Sequence, residues 1–263
     1  MNFAEVVVVP DPTITSQPLA TQTQCQNATA NVLEVIVTGG SGTIGYQWYS
    51  NANNNTTNGT AIPGATASTY SPPTNTIGTR YYYCIITQTG LGCSVTSATA
   101  TVITVAAPSI STQPLTSQTV CLNGATTALS VNYINGIGTP AYQWYSNTSN
   151  SNTGGVLISG ATNSSFTPPS STVGTLYYYC VVTFTSGGCT STTSNTAAVI
   201  INDLPAINNQ PLPTQSLCVG ASINPLSVSF AGGTGTPNYQ WFSNTTNSNT
   251  GGTPIAGATA ATY

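Results

Sequence analysis

The chain has 263 residues and a charged fraction of 2%, made up of one arginine and four acids, with no lysine or histidine. A soluble chain is normally about one quarter charged, so the usual general bases, imidazole metal ligands and Schiff-base lysines are missing. A single cation cannot hold a phosphate backbone or an anionic lipid surface, so we expect no nucleic acid partner. No apolar run in the sequence approaches the roughly 18 to 20 residues of a spanning helix, so we expect no membrane insertion of this segment.

The predicted elements recur along the chain at a spacing of 96 to 97 residues: the segment 12–19 returns at 108–115 and again at 205–212. A repeat of this length is domain-sized. The pattern predicts a segment of a longer tandem array. We assign residues 1–10 to the last strand of a preceding repeat, 11–106 to repeat 1, 107–202 to repeat 2, and 203–263 to a third repeat that stops before strands F and G.

Within each repeat, the second strand alternates apolar and polar residues, which is typical of a half-buried antiparallel strand. The central apolar residues of this strand are Val35, Val131 and Val228. No 3.6-residue periodicity is sustained anywhere, so helices are not predicted.

Thirteen residues after Val35 comes Trp48, and a Tyr-x-Cys sequence follows that ends at Cys84. This order resembles the immunoglobulin fold, in which a buried strand-C tryptophan packs near a strand-F Tyr-x-Cys whose tyrosine forms the tyrosine corner. The resemblance implies an all-β chain of tandem immunoglobulin-like β-sandwich domains, which we expect to form an extended rod. It also implies five aromatic core residues: Trp48, Trp144, Trp241, Tyr82 and Tyr178. Valine at the strand-B position means that the usual disulfide between strands B and F cannot form.

The sequence leaves the pairing of the cysteines open. Zinc is not expected, because there is no Cys-x-x-Cys pair and no histidine. In an immunoglobulin-like topology Cys25 and Cys93 lie at opposite ends of a domain, which raises the hypothesis of a bond between Cys25 and Cys189 of the next domain. The alternative is a buried thiol, as at Cys84, that packs as a small hydrophobic residue. The seven cysteines are Cys25, Cys84, Cys93, Cys121, Cys180, Cys189 and Cys218.

No catalytic, cofactor or metal site can be assembled from the charged residues. Serine and threonine have no histidine or lysine to activate them, and Glu34 lacks the acidic partner that glycoside hydrolysis needs. Calcium requires six to eight oxygen ligands, whereas Asp11 and Asp203 are isolated acids beside linkers and are predicted to cap turns. We therefore expect a protein that is not an enzyme and that needs no cofactor.

An Asn-rich segment follows strand C in each repeat and is predicted to be a polar, exposed connection. The functional alternative is a loop that contacts sugars or surfaces through amides, hydroxyls and outward-facing tyrosines. In repeat 1 its residues would be Asn53, Asn54, Asn55, Tyr49, Tyr81 and Tyr83.

Four motifs are spread along the length of the first and second repeats: Ile-x-x-Gln-Pro, Tyr-Gln-Trp-Tyr-Ser-Asn, Ile-x-Gly-Ala-Thr and Gly-Thr-x-Tyr-Tyr-Tyr-Cys. They resemble the tandem repeats of giant cell-surface adhesins of gliding Bacteroidetes, which leave the cell by type IX secretion. The resemblance implies an extracellular filament for gliding motility and attachment, held at the outer membrane by other parts of the protein. Its partners would be neighbouring repeats, an external surface or polysaccharide, and, through other regions, the motility and secretion machinery. Two alternatives stay open: a polysaccharide-binding array of a secreted protein, and a self-assembling extracellular fibre.

Overall fold

The structure is a computed structural model that describes residues 6–89 and 93–263. Within these ranges every regular element is a β-strand. None of the described residues forms a helix of the length and apolarity that crossing a bilayer requires. The predicted all-β fold is thereby confirmed.

The described residues of the first domain form ten strands in two facing layers. One layer has the order β2-β10-β8-β5-β6, with β9 also paired to β8, and the other consists of the pairs β1–β4 and β3–β7. The pairing of β2 with β10 is parallel, which is how the first part of an immunoglobulin-like domain joins the sheet of its last strand. In chain order the strands are β1 (Thr13–Ser16), β2 (Thr21–Cys25), β3 (Leu33–Glu34), β4 (Ile36–Thr38), β5 (Ile44–Asn51), β6 (Thr60–Ala61), β7 (Thr69–Tyr70), β8 (Gly78–Gln88), β9 (Ser94–Thr96) and β10 (Ala100–Val105).

The second domain repeats this arrangement strand for strand. Its large sheet has the order β12-β20-β18-β15-β16 with β19 paired to β18, and the facing layer consists of β11–β14 and β13–β17. The strands are β11 (Ser109–Thr112), β12 (Ser117–Cys121), β13 (Leu129–Ser130), β14 (Asn132–Ile134), β15 (Pro140–Asn147), β16 (Val156–Leu157), β17 (Ser165–Phe166), β18 (Gly174–Phe184), β19 (Thr192–Thr193) and β20 (Ala197–Asn202).

The third repeat has four strands, which correspond in sequence to β1, β4, β5 and β6 of the first domain. They form two separate antiparallel pairs. Their bounds are β21 (Ala206–Asn209), β22 (Ser229–Ala231), β23 (Phe242–Ser243) and β24 (Thr253–Pro254).

The core of each complete domain lies between its two layers. Trp48 and Trp144 are fully buried, and their indole nitrogens donate to the carbonyls of Ala67 at 3.0 Å and Asn163 at 2.9 Å. The valines and tyrosines predicted for these two cores are also buried: Val35, Val131, Tyr82 and Tyr178.

In the third repeat the corresponding residues are only partly buried. Val228 and Trp241 keep the same local backbone, since the Trp241 indole donates to the Ala260 carbonyl at 2.8 Å. Strands β8 and β10, which extend the sheet beside β5 in the first domain and supply core residues packed with Trp48, have no counterpart among the described residues of this repeat. The lack of these strands explains why Trp241 is less buried than Trp48 and Trp144.

A buried serine divides the last strand of each complete domain into two pieces. The Ser97 hydroxyl accepts a hydrogen bond from the Cys84 amide at 2.9 Å and donates to the Ala98 carbonyl at 2.9 Å. Ser194 makes the same two bonds with the Cys180 amide and the Asn195 carbonyl. In the first domain the hydroxyl thus satisfies an amide of β8 at the gap between β9 and β10, where the ladder that both strands form with β8 is interrupted.

Residues 6–9 were assigned from the sequence to the last strand of a preceding repeat. In the structure they are mostly exposed and belong to no strand, and they have no ladder partner among the described residues. Residues 1–5 lie outside the described residues, so the assignment to a preceding repeat stays a prediction.

Candidate functional site

The junction between the first and second domains holds a disulfide bond. It joins Cys25 to Cys189 across a sequence separation of 164 residues, with the two Cα atoms 5.0 Å apart. This is the pairing that the sequence hypothesis put forward. A covalent bond therefore connects the two domains in addition to the linker at residues 106–108.

The position of Cys25 follows from the parallel pairing of β2 with β10. Cys25 lies beside Val105, the last residue of β10, and the Gln26 amide donates to the Val105 carbonyl at 2.8 Å. Because the linker starts directly after Val105, Cys25 is placed at the end of the first domain that faces the second. Cys25 is only 1% exposed.

Two glycines shape the loop that carries Cys189. Gly187 and Gly188 have φ angles of +65° and +61°, a backbone region that L side chains rarely adopt. A Cβ atom on Gly187 would lie 2.4 Å from Ile137 Cδ1 in its own domain and 3.2 Å from the Thr23 carbonyl oxygen of the first domain, and one on Gly188 would lie 2.8 Å from Ala28 Cβ. The Gly187 carbonyl also accepts a hydrogen bond from the Cys25 amide at 2.9 Å. Glycine at both positions thus lets the loop approach the first domain closely.

The strand-F cysteines of the two complete domains are buried thiols. Cys84 and Cys180 are fully buried and form no disulfide, as the alternative interpretation of Cys84 held. Burial raises the pKa of each thiol to about 11. These two cysteines fill core space beside the strand-B valines.

Three further cysteines lie outside the cores. The Cys93 thiol forms a hydrogen bond with the Asp11 side chain, and this hydrogen bond is the main reason that the pKa of the Cys93 thiol is raised. Cys121 is partly exposed and Cys218 is exposed, and both are thiols in the described part of the chain.

The expectation that Tyr83 lies at the surface is wrong. Strand alternation points its ring outward from the core, but the connection after β5 folds over the ring, and Tyr83 is 2% exposed. The Tyr83 ring stacks on Tyr49 with centroids 5.2 Å apart, and a Cβ on Gly59 would lie 2.5 Å from the Tyr83 hydroxyl oxygen. Tyr49 and Tyr81 are partly exposed.

The Asn-rich loop of repeat 1 is exposed but uses many of its polar groups internally. The Asn51 amide nitrogen donates to the carbonyls of Asn55 at 3.1 Å and Thr57 at 2.9 Å, and Asn54 Oδ1 accepts from the Thr99 hydroxyl. Asn147 and Asn244 organise the equivalent loops through the same pair of carbonyl contacts. The loop thus holds its own shape, and a hydrogen bond attaches it to Thr99, the residue directly before β10.

The six residues of the predicted sugar-contacting surface do not line the cavity of 370 Å³ in the first domain. The 370 Å³ cavity of the first domain is lined by other residues, among them Arg80, Tyr82 and Thr104. Across residues 6–89 and 93–263, no group of three or more His, Cys, Asp or Glu side chains is arranged to hold a metal ion.

Several solved structures of tandem β-sandwich domains are similar to this chain. Extracellular domains 3–5 of Drosophila OTK are 15% identical, with 86% of this chain and 78% of that chain covered and a TM-score of 0.32. The Ig1–2 module of the Drosophila receptor protein tyrosine phosphatase DLAR is 16% identical, with 73% and 99% covered and a TM-score of 0.28. The fibronectin(III)-like modules of Clostridium thermocellum CbhA are 11% identical, with 73% and 94% covered and a TM-score of 0.34.

Because these identities are low, the fold assignment rests on the strand order and cores described above. No curated protein matches the chain. A family model described as "Domain of unknown function (DUF8696)" matches twice, over residues 15–107 and 111–203. These two matches span well over half of the chain and one complete domain each, so the chain belongs to this family of tandem immunoglobulin-like domains.

Proposed function

We propose that the chain is a structural repeat segment of a filamentous cell-surface adhesin that serves gliding motility and attachment, of the kind that SprB represents. The observation that carries this proposal is the Cys25–Cys189 bond between consecutive domains. A domain pair held only by a flexible linker bends freely. A pair held by a short linker that contains Pro108 and by a second covalent connection beside it resists bending and rotation.

The disulfide also bears on the compartment. Bonds of this kind form and persist in oxidising surroundings outside the cytosol, so the domains belong to an extracellular setting. Attachment to the outer membrane and export by type IX secretion would depend on other parts of the protein.

In this function the domains act mechanically and without catalysis. Head-to-tail repetition provides reach, while the antiparallel sandwiches join residues far apart in sequence, which slows folding and unfolding. The neighbouring repeats are the direct partners of each domain, and the motility machinery would act through regions outside this segment.

Small-angle scattering of the whole chain tests the extended arrangement. A row of sandwiches, each roughly 40 Å long, has an expected radius of gyration of about 30 Å, whereas a compact chain of this length has about 18 Å. A value near the compact limit would contradict the filament. The Cys25→Ser variant should be more flexible than the natural chain, with Cys121→Ser as the matched control.

Antibodies raised against the chain test its location and role. They should label intact cells of the native host and slow gliding or attachment. Labelling that appears only after lysis would contradict the proposal.

The polysaccharide-binding alternative predicts retention on cellulose, chitin or a glycan array. The Asn-rich loops favour the opposite result in part, since the amide nitrogens of Asn51, Asn147 and Asn244 are already engaged within the loops. A self-assembling fibre would instead show concentration-dependent association of the purified chain.

A further inference from the structure

We propose that Cys121 is a second interdomain disulfide site, and that its partner is the hairpin tip of a domain of this same class. The hairpin tip is defined as the segment that corresponds to residues 184–189: an aromatic residue followed five positions later by cysteine. For its biological meaning this inference rests on the proposed filament function. It extends that proposal, because it makes the interdomain bond a recurring feature.

The backbone presents Cys121 in the same way as Cys25. Cys121 pairs with Asn202, the last residue of β20, just as Cys25 pairs with the last residue of β10. The residue after each cysteine donates its amide to that partner's carbonyl at 2.8 Å. The sulfur of Cys121 is therefore placed at the end of the second domain that faces the third repeat.

The third repeat already contacts Cys121. The Cys121 sulfur lies 3.7 Å from the Thr234 hydroxyl oxygen, and Thr234 corresponds in sequence to Ile137, which packs beside the Cys189 loop at the first junction. The second junction is thus arranged like the first, but the described residues include no hairpin tip to occupy it.

A cavity of about 380 Å³ lies beside Cys121, and Phe230, Gly233, Thr234 and Tyr239 also line it. The corresponding residues of the second domain are Tyr133, Gly136, Ile137 and Tyr142. There the space is filled by Phe184, whose ring packs against Tyr133 with centroids 5.1 Å apart and lies against Gly136. The cavity at Cys121 is therefore the space that a hairpin tip fills at the first junction.

Bond formation joins the two sulfur atoms and releases two protons and two electrons. In an oxidising compartment the electrons pass to a disulfide oxidant, whose own sulfur–sulfur bond is reduced to two thiols.

The test uses the whole chain and the synthetic peptide Thr-Phe-Thr-Ser-Gly-Gly-Cys, the sequence of residues 183–189, with its cysteine activated as a 2-pyridyl mixed disulfide. The Cys121 thiolate attacks the peptide sulfur, forms the new disulfide and displaces pyridine-2-thione, whose absorbance gives the rate. The control peptide is Thr-Ser-Thr-Ser-Ala-Ala-Cys, which lacks both the aromatic ring and the glycine pair. Mass spectrometric mapping identifies the labelled cysteine.

We expect Cys121 to react at least about tenfold faster with the native-sequence peptide than with the control peptide, because the aromatic ring enters the cavity. Cys218, which is more exposed, should react at equal rates with both. If Cys121 shows no greater preference than Cys218, the proposal is overturned.

Two matched variants locate the effect. Phe230→Ala removes a cavity wall and should abolish the preference of Cys121 for the native-sequence peptide, whereas Phe242→Ala, outside this cavity, should keep it. A preference that survives Phe230→Ala overturns the assignment of the cavity. Reaction with a short peptide does not depend on the shape of the chain, so failure here and failure of the scattering test are separate results.

Discussion

The disulfide between Cys25 and Cys189 should stabilise both domains that it joins, and this can be measured on the whole chain. The perturbation is Cys25→Ser, which removes the bond. The matched control is Cys121→Ser, which replaces the equivalent residue of the second domain, where the structure has a thiol.

The magnitude follows from the loop that the bond closes. If the first domain unfolds while the second stays folded, Cys25 remains held near the linker and closes a loop of roughly 80 residues, worth about 4.5 kcal/mol in the chain-entropy relation. Loss of a disulfide typically costs about 2–4 kcal/mol. For a domain of this size even 2 kcal/mol lowers the Tm by about 8 °C.

Differential scanning calorimetry of the natural chain and both variants is the assay. We expect Cys25→Ser to lower the unfolding temperature by about 8 °C or more, and reduction of the natural chain should reproduce that loss. Cys121→Ser should change little. Equal shifts in the two variants would refute the reasoning, because the effect would then come from local packing at the strand end and not from the cross-link.

Three further predictions concern the cores and the surface. Ser97→Ala should lower the free energy of unfolding by about 1–3 kcal/mol, because it leaves the buried Cys84 amide without its acceptor. Ser94→Ala, at an exposed site, should leave that free energy unchanged. Urea titration measures both variants, and equal changes in the free energy of unfolding would contradict a stabilising role of the Ser97 hydrogen bond. Burial raises the pKa of Cys84 from 9.0 to about 11, so the folded thiol keeps its proton where the unfolded one loses it. Stability should therefore be constant below about pH 9 and fall as the pH rises toward 11, and Cys84→Val should reduce that fall in urea titrations at pH 7 and 10.5; an unchanged fall would rule out this thiol. Because Thr, Ser and Asn take the place of charged surface residues, the unfolding temperature should be nearly constant from about 0.01 to 0.5 M NaCl. A shift of many degrees over this range would contradict the prediction.

The sandwich and its buried tryptophans were predictable because period-two alternation and the order of Val35, Trp48 and Cys84 are local signals. The hypothesis of a Cys25–Cys189 bond was also within reach, since strand order alone puts Cys25 at one end of a domain and the equivalent of Cys189 at the other. No comparable signal in the sequence predicts that the Ser97 hydroxyl accepts a hydrogen bond from the Cys84 amide. That bond depends on an interruption of the last strand, which only the assembled sheet defines.

The surface prediction failed at Tyr83 for a related reason. Alternation tells which side of a sheet a residue faces, but not whether a connection covers that side. The segment after β5 lies over Tyr83, and the absence of a side chain on Gly59 allows this close approach. The cavity beside Cys121 was equally out of reach, because it depends on how two repeats meet.

The interdomain bond also decides which parts of the chain can carry tension. A pull on the two ends of this segment would run along β1 and β2, cross from Cys25 to Cys189, and leave through β19 and β20. Residues 26–188, with both fully buried tryptophans, lie outside that path. The 164-residue separation corresponds to roughly 550 Å of extended chain, and this length stays locked until the sulfur–sulfur bond is cleaved.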